Sequence, residues 1–144
     1  MEGNSIAGYR EIEHVADWEL NVWAPDFPAL LVQAAKGMDA LSGLKFEVEP
    51  CHRQKIVLAA QDQESLLVAF LSELLFIAQL ERLGFDRFDI HITAETPTEK
   101  LELQANLEGY PIQSLNKEIK AVTYHNLKIR QTDKGLETNI VFDI

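Results

Sequence analysis

The sequence predicts an α+β fold, a two-layer domain with a largely antiparallel sheet and two helices packed on it. Three observations carry this. Two segments repeat their apolar residues with helical period, most of the remaining chain alternates with period two, and the alternating runs are mostly joined by short turn sequences. At 144 residues the chain is one domain's worth, so residues 1–144 are read as a single domain.

The first helical segment places Phe27, Leu30, Leu31, Ala34, Ala35, Met38 and Leu41 on one stripe. Asp26 stands where an N-cap belongs, Pro28 is tolerable in a first turn, and Gly43 is placed to close the far end. The second carries Leu66, Leu67, Phe70, Leu71, Leu74, Leu75 and Ala78, with Asp62 as N-cap and Gly84 as the expected residue beyond its C-terminus. Of the alternating runs, Trp18, Leu20, Val22 and Ala24 share a face opposite Glu19 and Asn21, and Leu101, Leu103, Ala105 and Leu107 alternate with Glu102, Gln104 and Asn106. Ile56 to Ala60, Phe88 to Thr93, Ala121 to Arg130 and Leu136 to Ile144 complete the expected strands, and a further one precedes His14. Thr132-Asp133-Lys134-Gly135 has the composition of a hairpin turn between the last two.

Composition narrows the function classes. Hydrophobic residues make up 47% and charged residues 25%, which is globular composition, and the formal net charge of −10 opposes the gripping of nucleic acid through its phosphates. The acidity is uneven: the first fifty residues hold nine acids against three bases, whereas Lys117, Lys120, Lys128, Arg130 and Lys134 form a mildly basic strip near the end. One cysteine, Cys51, excludes an internal disulfide. Met1 to Arg10 contains no apolar run, so no signal peptide is expected, and Leu66 to Leu80 is too short and too interrupted for a membrane span. These features lead to the expectation of a soluble, cytoplasmic protein.

Several polar residues invite a chemical reading. His14 and Asp17, in His14-Val15-Ala16-Asp17, read either as an ordinary turn or as a ligand for a hard divalent cation. Asp143 stands beside Ile144, so a side-chain carboxylate and an α-carboxylate lie one residue apart, and two such groups repel unless a cation or a base sits between them. A frayed, solvated end is the plainer alternative, but Ile140, Phe142 and Ile144 continue the buried alternation to the last residue. In Lys117 to His125, the residues Lys120, Thr123 and His125 offer a cation, a hydroxyl and an imidazole to a partner's phosphate or carboxylate; an edge strand protected by its lysine is the alternative. Glu73 sits inside the apolar second helix and needs a partner if buried. Zinc is disfavoured because His14, His52, His91, His125 and Cys51 show no chelating spacing. No nucleophile elbow and no glycine-rich phosphate loop is present.

Four segments taken in order resemble the archease family over nearly the full length. They are His14-Val15-Ala16-Asp17 before a Trp/Leu/Val strand, Ser65-Leu66-Leu67 leading to Glu73-Leu74-Leu75-Phe76, Glu118 to His125, and the terminal Asp143-Ile144. Val15 departs from the family's usual Thr. The resemblance implies an accessory protein that activates an RtcB-type RNA ligase in tRNA splicing or RNA repair, promoting metal-dependent guanylylation of the ligase and multiple turnover. Such a protein would itself be no enzyme and would bind no RNA directly. It further implies a divalent cation, Ca²⁺ foremost with Mg²⁺ or Mn²⁺ as alternatives, at Asp17, Asp143 and Ile144. Lys120 and Glu73 would be further functional positions. A chaperone-like protein-binding module and a stand-alone metal-dependent hydrolase are the other two readings.

Overall fold

A computed structural model of the chain describes residues 6–12, 17–95 and 100–144. The elements run β1 (Gly8–Ile12), β2 (Trp18–Ala24), α1 (Phe27–Ser42), β3 (Lys45–Phe46), β4 (His52–Ala60), α2 (Gln63–Glu81), β5 (Leu83–Glu95), β6 (Lys100–Ser114), β7 (Ala121–Val122), β8 (Arg130–Thr132) and β9 (Gly135–Asp143). The α+β expectation holds: two helices pack on antiparallel sheet. The strands divide into two sheets, one of five strands in the order β1-β2-β9-β7 with β8 also on β9, and one of four built around β6.

The local chemistry of α1 works as the sequence predicts. Asp26 accepts a hydrogen bond from the Ala29 amide at 2.9 Å, Pro28 occupies the first turn where no amide donor is missed, and Gly43 ends the helix in the left-handed region at φ 67°. In α2 the Asp62 carboxylate accepts from the Ser65 amide at 2.7 Å, and the hydrogen bonds from Ser65 hold its pKa below the usual carboxylate range. Its far end corrects the expectation for Gly84. Arg82 takes the left-handed cap at φ 55°, its carbonyl accepts from the Ile112 amide at 2.8 Å, and the chain enters β5 at once. Gly84 serves that strand instead, since a Cβ there would press on Leu44 and Phe46 at 3.0 Å.

By length and composition alone α2 reaches what a bilayer span needs, with 19 residues and a mean hydropathy of 1.4 over its most apolar 18-residue window. Seven of its residues, Leu66, Leu67, Val68, Phe70, Leu71, Leu74 and Ile77, are buried in the core. A core helix of a globular domain has the same composition.

The expected strand over Ala121 to Arg130 is also corrected. Only Ala121–Val122 pairs with β9; the chain then turns, with Leu127 donating to the Tyr124 carbonyl at 3.0 Å and Asn126 at φ 52°, before β8 rejoins β9. The flank of β9 opposite β2 is thus shared by two short strands. The predicted hairpin turn is present, with Thr132 paired to Gly135 across Asp133-Lys134 and Gly135 at φ 100°.

The core is continuous between the helices and both sheets. Leu20, Val22, Ala24, Ile140 and Phe142 face α1 from the five-stranded sheet, and Leu103, Ala105 and Leu107 face the helices from the other. β9 lies inside its sheet with Phe142 fully buried and Ile144 packed against the core, so the C-terminal strand is docked.

Candidate functional site

Three chain segments converge at the end of the five-stranded sheet where β2 begins and β9 finishes. Trp18 pairs with Phe142, so Asp17 and Asp143 stand at adjoining positions one residue beyond. On the other side of β9, Ala121 pairs with Asp143 and the Lys120 amide donates to the Asp143 carbonyl at 2.7 Å. The register therefore brings Asp17, Asp143 and Lys120 to one corner, 126 positions apart at the extreme in sequence. Asp17 is half-buried with its Oδ1 shielded from solvent, Asp143 and Lys120 are exposed, and Ile144 is half-buried.

The remaining predicted residues are placed less centrally. Thr123 is structural: its Oγ1 and its amide both donate to the Val141 carbonyl, at 2.9 and 3.0 Å, and its Oγ1 accepts from the His125 amide at 3.3 Å. His125 is exposed beside Asn126, with its Nε2 3.3 Å from Asn126 Nδ2. Glu73 is half-buried on α2 and makes no hydrogen bond or ion pair among the described residues; it shares a helical stripe with the exposed Phe76 and Leu80. His14 lies outside the described residues.

A polar ladder leads to the corner, built from residues that the sequence analysis did not single out as functional. Asn21 is only 3% exposed. Its Nδ2 donates to Glu137 Oε2 at 3.0 Å and to Asn139 Oδ1 at 2.8 Å, and Asn139 Nδ2 donates to Glu19 Oε2 at 2.6 Å. Thr132 Oγ1 donates to Glu137 Oε1 at 3.0 Å. Burial opposes the charge on Glu137, but hydrogen bonds from Asn21 and Thr132, with Lys134 and Arg130 nearby, lower its pKa below the ordinary value. The signal lay in the sequence: Glu19, Asn21, Glu137 and Asn139 all occupy the non-core parity of two strands that turn out to be neighbours.

Among the described residues no three His, Cys, Asp or Glu side chains converge as a metal centre. The donor set that a cation would meet at this corner is two side-chain carboxylates, Asp17 and Asp143, at adjoining register positions. Its all-oxygen chemistry suits a hard cation such as Ca²⁺, Mg²⁺ or Mn²⁺ and does not suit zinc. The basic strip is partly spent on β2: the Lys117 ammonium lies 4.8 Å over the Trp18 ring and that of Lys134 4.7 Å over Trp23.

An α+β domain of two antiparallel sheets, with Asp17 and Asp143 at adjoining positions where β2 begins and β9 finishes, is the class these features define. The model of the Archease protein family (MTH1598/TM1083) matches residues 9–144, and the chain belongs to that family. It is 32% identical over 139 residues to the protein archease of Methanosarcina barkeri, covering 94% of this chain and 95% of the relative. Identity is likewise 32% to that of Methanopyrus kandleri, covering 94% and 99%. Among solved structures it is similar to Methanobacterium thermoautotrophicum protein 1598, with a TM-score of 0.78, 24% identity, and 95% and 99% of the two chains covered. An archease of Thermotoga maritima, described as a possible chaperone, matches with a TM-score of 0.64 and 22% identity over 94% and 96%. At that identity the two structures speak for the fold alone. The matched curated relatives carry the name archease and no name of a catalytic activity.

Proposed function

We propose that the protein is a non-catalytic cytoplasmic activator of an RtcB-type RNA ligase, acting through the corner formed by Asp17, Asp143, Ile144 and Lys120. The observation that carries the reading is the strand register, which gathers two carboxylates and a lysine from three distant segments at an exposed end of a rigid sheet. Membership of the archease family supports the same reading. Asp17, Asp143 and the Ile144 carboxylate would hold the divalent cation, which supplies charge to position and neutralise phosphate oxygens. Lys120 offers a mobile point charge to a phosphate or carboxylate of the ligase. RNA and GTP belong to the partner on this reading, in keeping with the net charge of −10.

The test compares single-turnover with multiple-turnover RNA ligation. Asp17→Ala, Asp143→Ala and Lys120→Ala should each fold normally and fail to raise ligase turnover, while one round by already guanylylated ligase proceeds unaided. Full multiple turnover with Lys120→Ala and Asp143→Ala would remove the corner from consideration. Calorimetric titration of Ca²⁺, Mg²⁺ and Mn²⁺ into Asp17→Ala, and into a chain extended past Ile144, checks the ligand set separately.

A second reading, a chaperone-like protein-binding module, is favoured by one observation. Phe76 and Leu80, one turn apart on α2, are 55 and 67% exposed, and Tyr124 is 58% exposed. Suppression of aggregation of unrelated client proteins would support it, and dependence on one partner would not.

A further inference from the structure

A second carboxyl group sits in a place the corner does not explain. Between the C-terminal half of α1, the end of α2, the start of β5 and residues 115–119 lies a cavity of about 90 Å³. Met38, Leu74, Ala78 and Phe85 supply much of its apolar wall, and Asp39 is the one acid on its α1 side. The backbone carbonyl of Asp39 is engaged, accepting from the Leu44 amide at 3.1 Å and from Ser42 Oγ at 2.9 Å. Its carboxyl group is not: it makes no hydrogen bond and no ion pair among the described residues. Burial pushes its pKa up to about 8, and no neighbouring cation pulls it back.

The other charged groups on the cavity wall do not answer it. Arg82, from the end of α2, is exposed, as are Lys117 and Glu118 from the loop after β6, and the Lys117 ammonium is drawn to the Trp18 ring at 4.8 Å. None of β3, β5 and β6 contributes a charged side chain to the wall. An apolar recess with a single unanswered carboxyl group is complementary to an alkyl chain that ends in a donor. A cationic donor satisfies the carboxylate best, because a charge-assisted hydrogen bond is about twice as strong as a neutral one. The net charge of −10 also raises the local concentration of cations and repels anions.

We propose that this cavity is a binding site for a small aliphatic ammonium group, with its alkyl part against Met38, Leu74 and Phe85 and its N–H donating to the Asp39 carboxylate. At roughly 15 Å³ for each water-sized group, the volume admits about six non-hydrogen atoms, the size of n-pentylamine. This inference is independent of the ligase reading, since none of the corner residues lines the cavity. The same chemistry comes from two sources, a free aliphatic amine and the lysine side chain of a bound polypeptide.

The experiment is a titration of the full chain, followed by amide and methyl NMR, with n-pentylamine, n-pentanol, valerate and lysine blocked at both ends. Pentylamine should move the resonances of Met38, Leu74 and Phe85 with millimolar affinity. Pentanol and valerate should bind at least about tenfold more weakly, the factor expected for loss of one charged hydrogen bond. Asp39→Asn, of nearly the same shape, should weaken pentylamine by a similar factor and leave pentanol unchanged. Affinity for the amine should rise between about pH 6 and pH 9, as Asp39 ionises while the alkylammonium stays protonated. Blocked lysine binding as tightly as pentylamine assigns the site to a side chain, and pentylamine alone assigns it to a free amine. Equal binding of amine and alcohol by the unaltered protein overturns the proposal, as does a pentylamine response that survives Asp39→Asn or maps away from the cavity.

Discussion

Glu137, on the outer face of the five-stranded sheet, and Asp39, on the cavity side of α1, are both half-buried acids on regular secondary structure. Around Glu137 stand donors on both oxygens, Thr132 at 3.0 Å and Asn21 at 3.0 Å, with the Lys134 ammonium at 4.0 Å. The Asp39 carboxyl has no answering hydrogen bond or ion pair among the described residues, and burial is the one cause acting on it. The result is a pKa lowered for the first and raised to about 8 for the second. Burial acts on both in the same sense, so the difference teaches that the answering donors decide the sign. The lowered acid favours the folded state above its unfolded pKa and loses that contribution as pH falls. The raised acid favours the folded state below about 3.8 and loses its contribution as pH climbs toward about 8.

The strongest way to break the comparison is to remove the donor that both strands share. Asn21→Ala strips Nδ2 from Glu137 and Asn139 at a position 3% exposed, leaving two acceptors under-satisfied. We expect a loss of about 2–3 kcal/mol in urea unfolding at neutral pH. A loss under about 0.5 kcal/mol would mean that water replaces the amide and that the ladder adds nothing to stability.

Asp39→Asn should move stability the other way. It removes a group whose ionisation opposes folding, so the variant gains on the order of 1–2 kcal/mol at about pH 8 and nothing near pH 3, flattening the profile between them. Thermal unfolding across that range checks it, and a variant no more stable at pH 8 than the parent would deny Asp39 its raised pKa. Glu137→Gln is the mirror case. It should cost about 1 kcal/mol near neutral pH and converge on the parent as pH falls through the acid range.

Much of this fold was legible in the sequence because it rests on local chemistry. Asp26 and Asp62 announce their helices by side-chain geometry, and Gly43 ends one by its backbone freedom. The alternation in β2, β6 and β9 reads directly as core and outer faces. The illegible parts are those decided at a distance. Arg82 displaced Gly84 as helix cap because the Ile112 amide holds its carbonyl and β5 needs a glycine against Leu44 and Phe46. Ala121 to Arg130 has strand composition, yet β9 offers room only at two separate stretches. Of the corner, the sequence showed Asp17, Asp143 and Lys120 as separate oddities; only the Trp18–Phe142 and Ala121–Asp143 pairs make them neighbours. Asp39 gave no sign at all, because its position on α1 reads as solvent-facing until α2 and residues 115–119 close over it.

The smallest expected effect sharpens the comparison most. Lys134 lies at the hairpin tip, 4.7 Å over Trp23 and 4.0 Å from Glu137, with its side chain 39% exposed. If charge attraction held Glu137 in its ionised form, Lys134→Met would raise that acid and cost well over 1 kcal/mol. A half-exposed lysine is screened by water and salt, however, and such pairs contribute about 0.5 kcal/mol or less. The methionine also keeps an apolar chain of similar length against the indole, so the packing on Trp23 survives. We therefore expect Lys134→Met to lose no more than about 0.5 kcal/mol, and that loss to shrink in about 1 M salt. Glu137 should still titrate below its ordinary value in an NMR pH series, because Asn21 and Thr132 remain. A Glu137 that rises to the ordinary range in Lys134→Met would transfer the cause from hydrogen bonds to Coulomb attraction, and the contrast with Asp39 would then be one of nearby charge instead of answering donors.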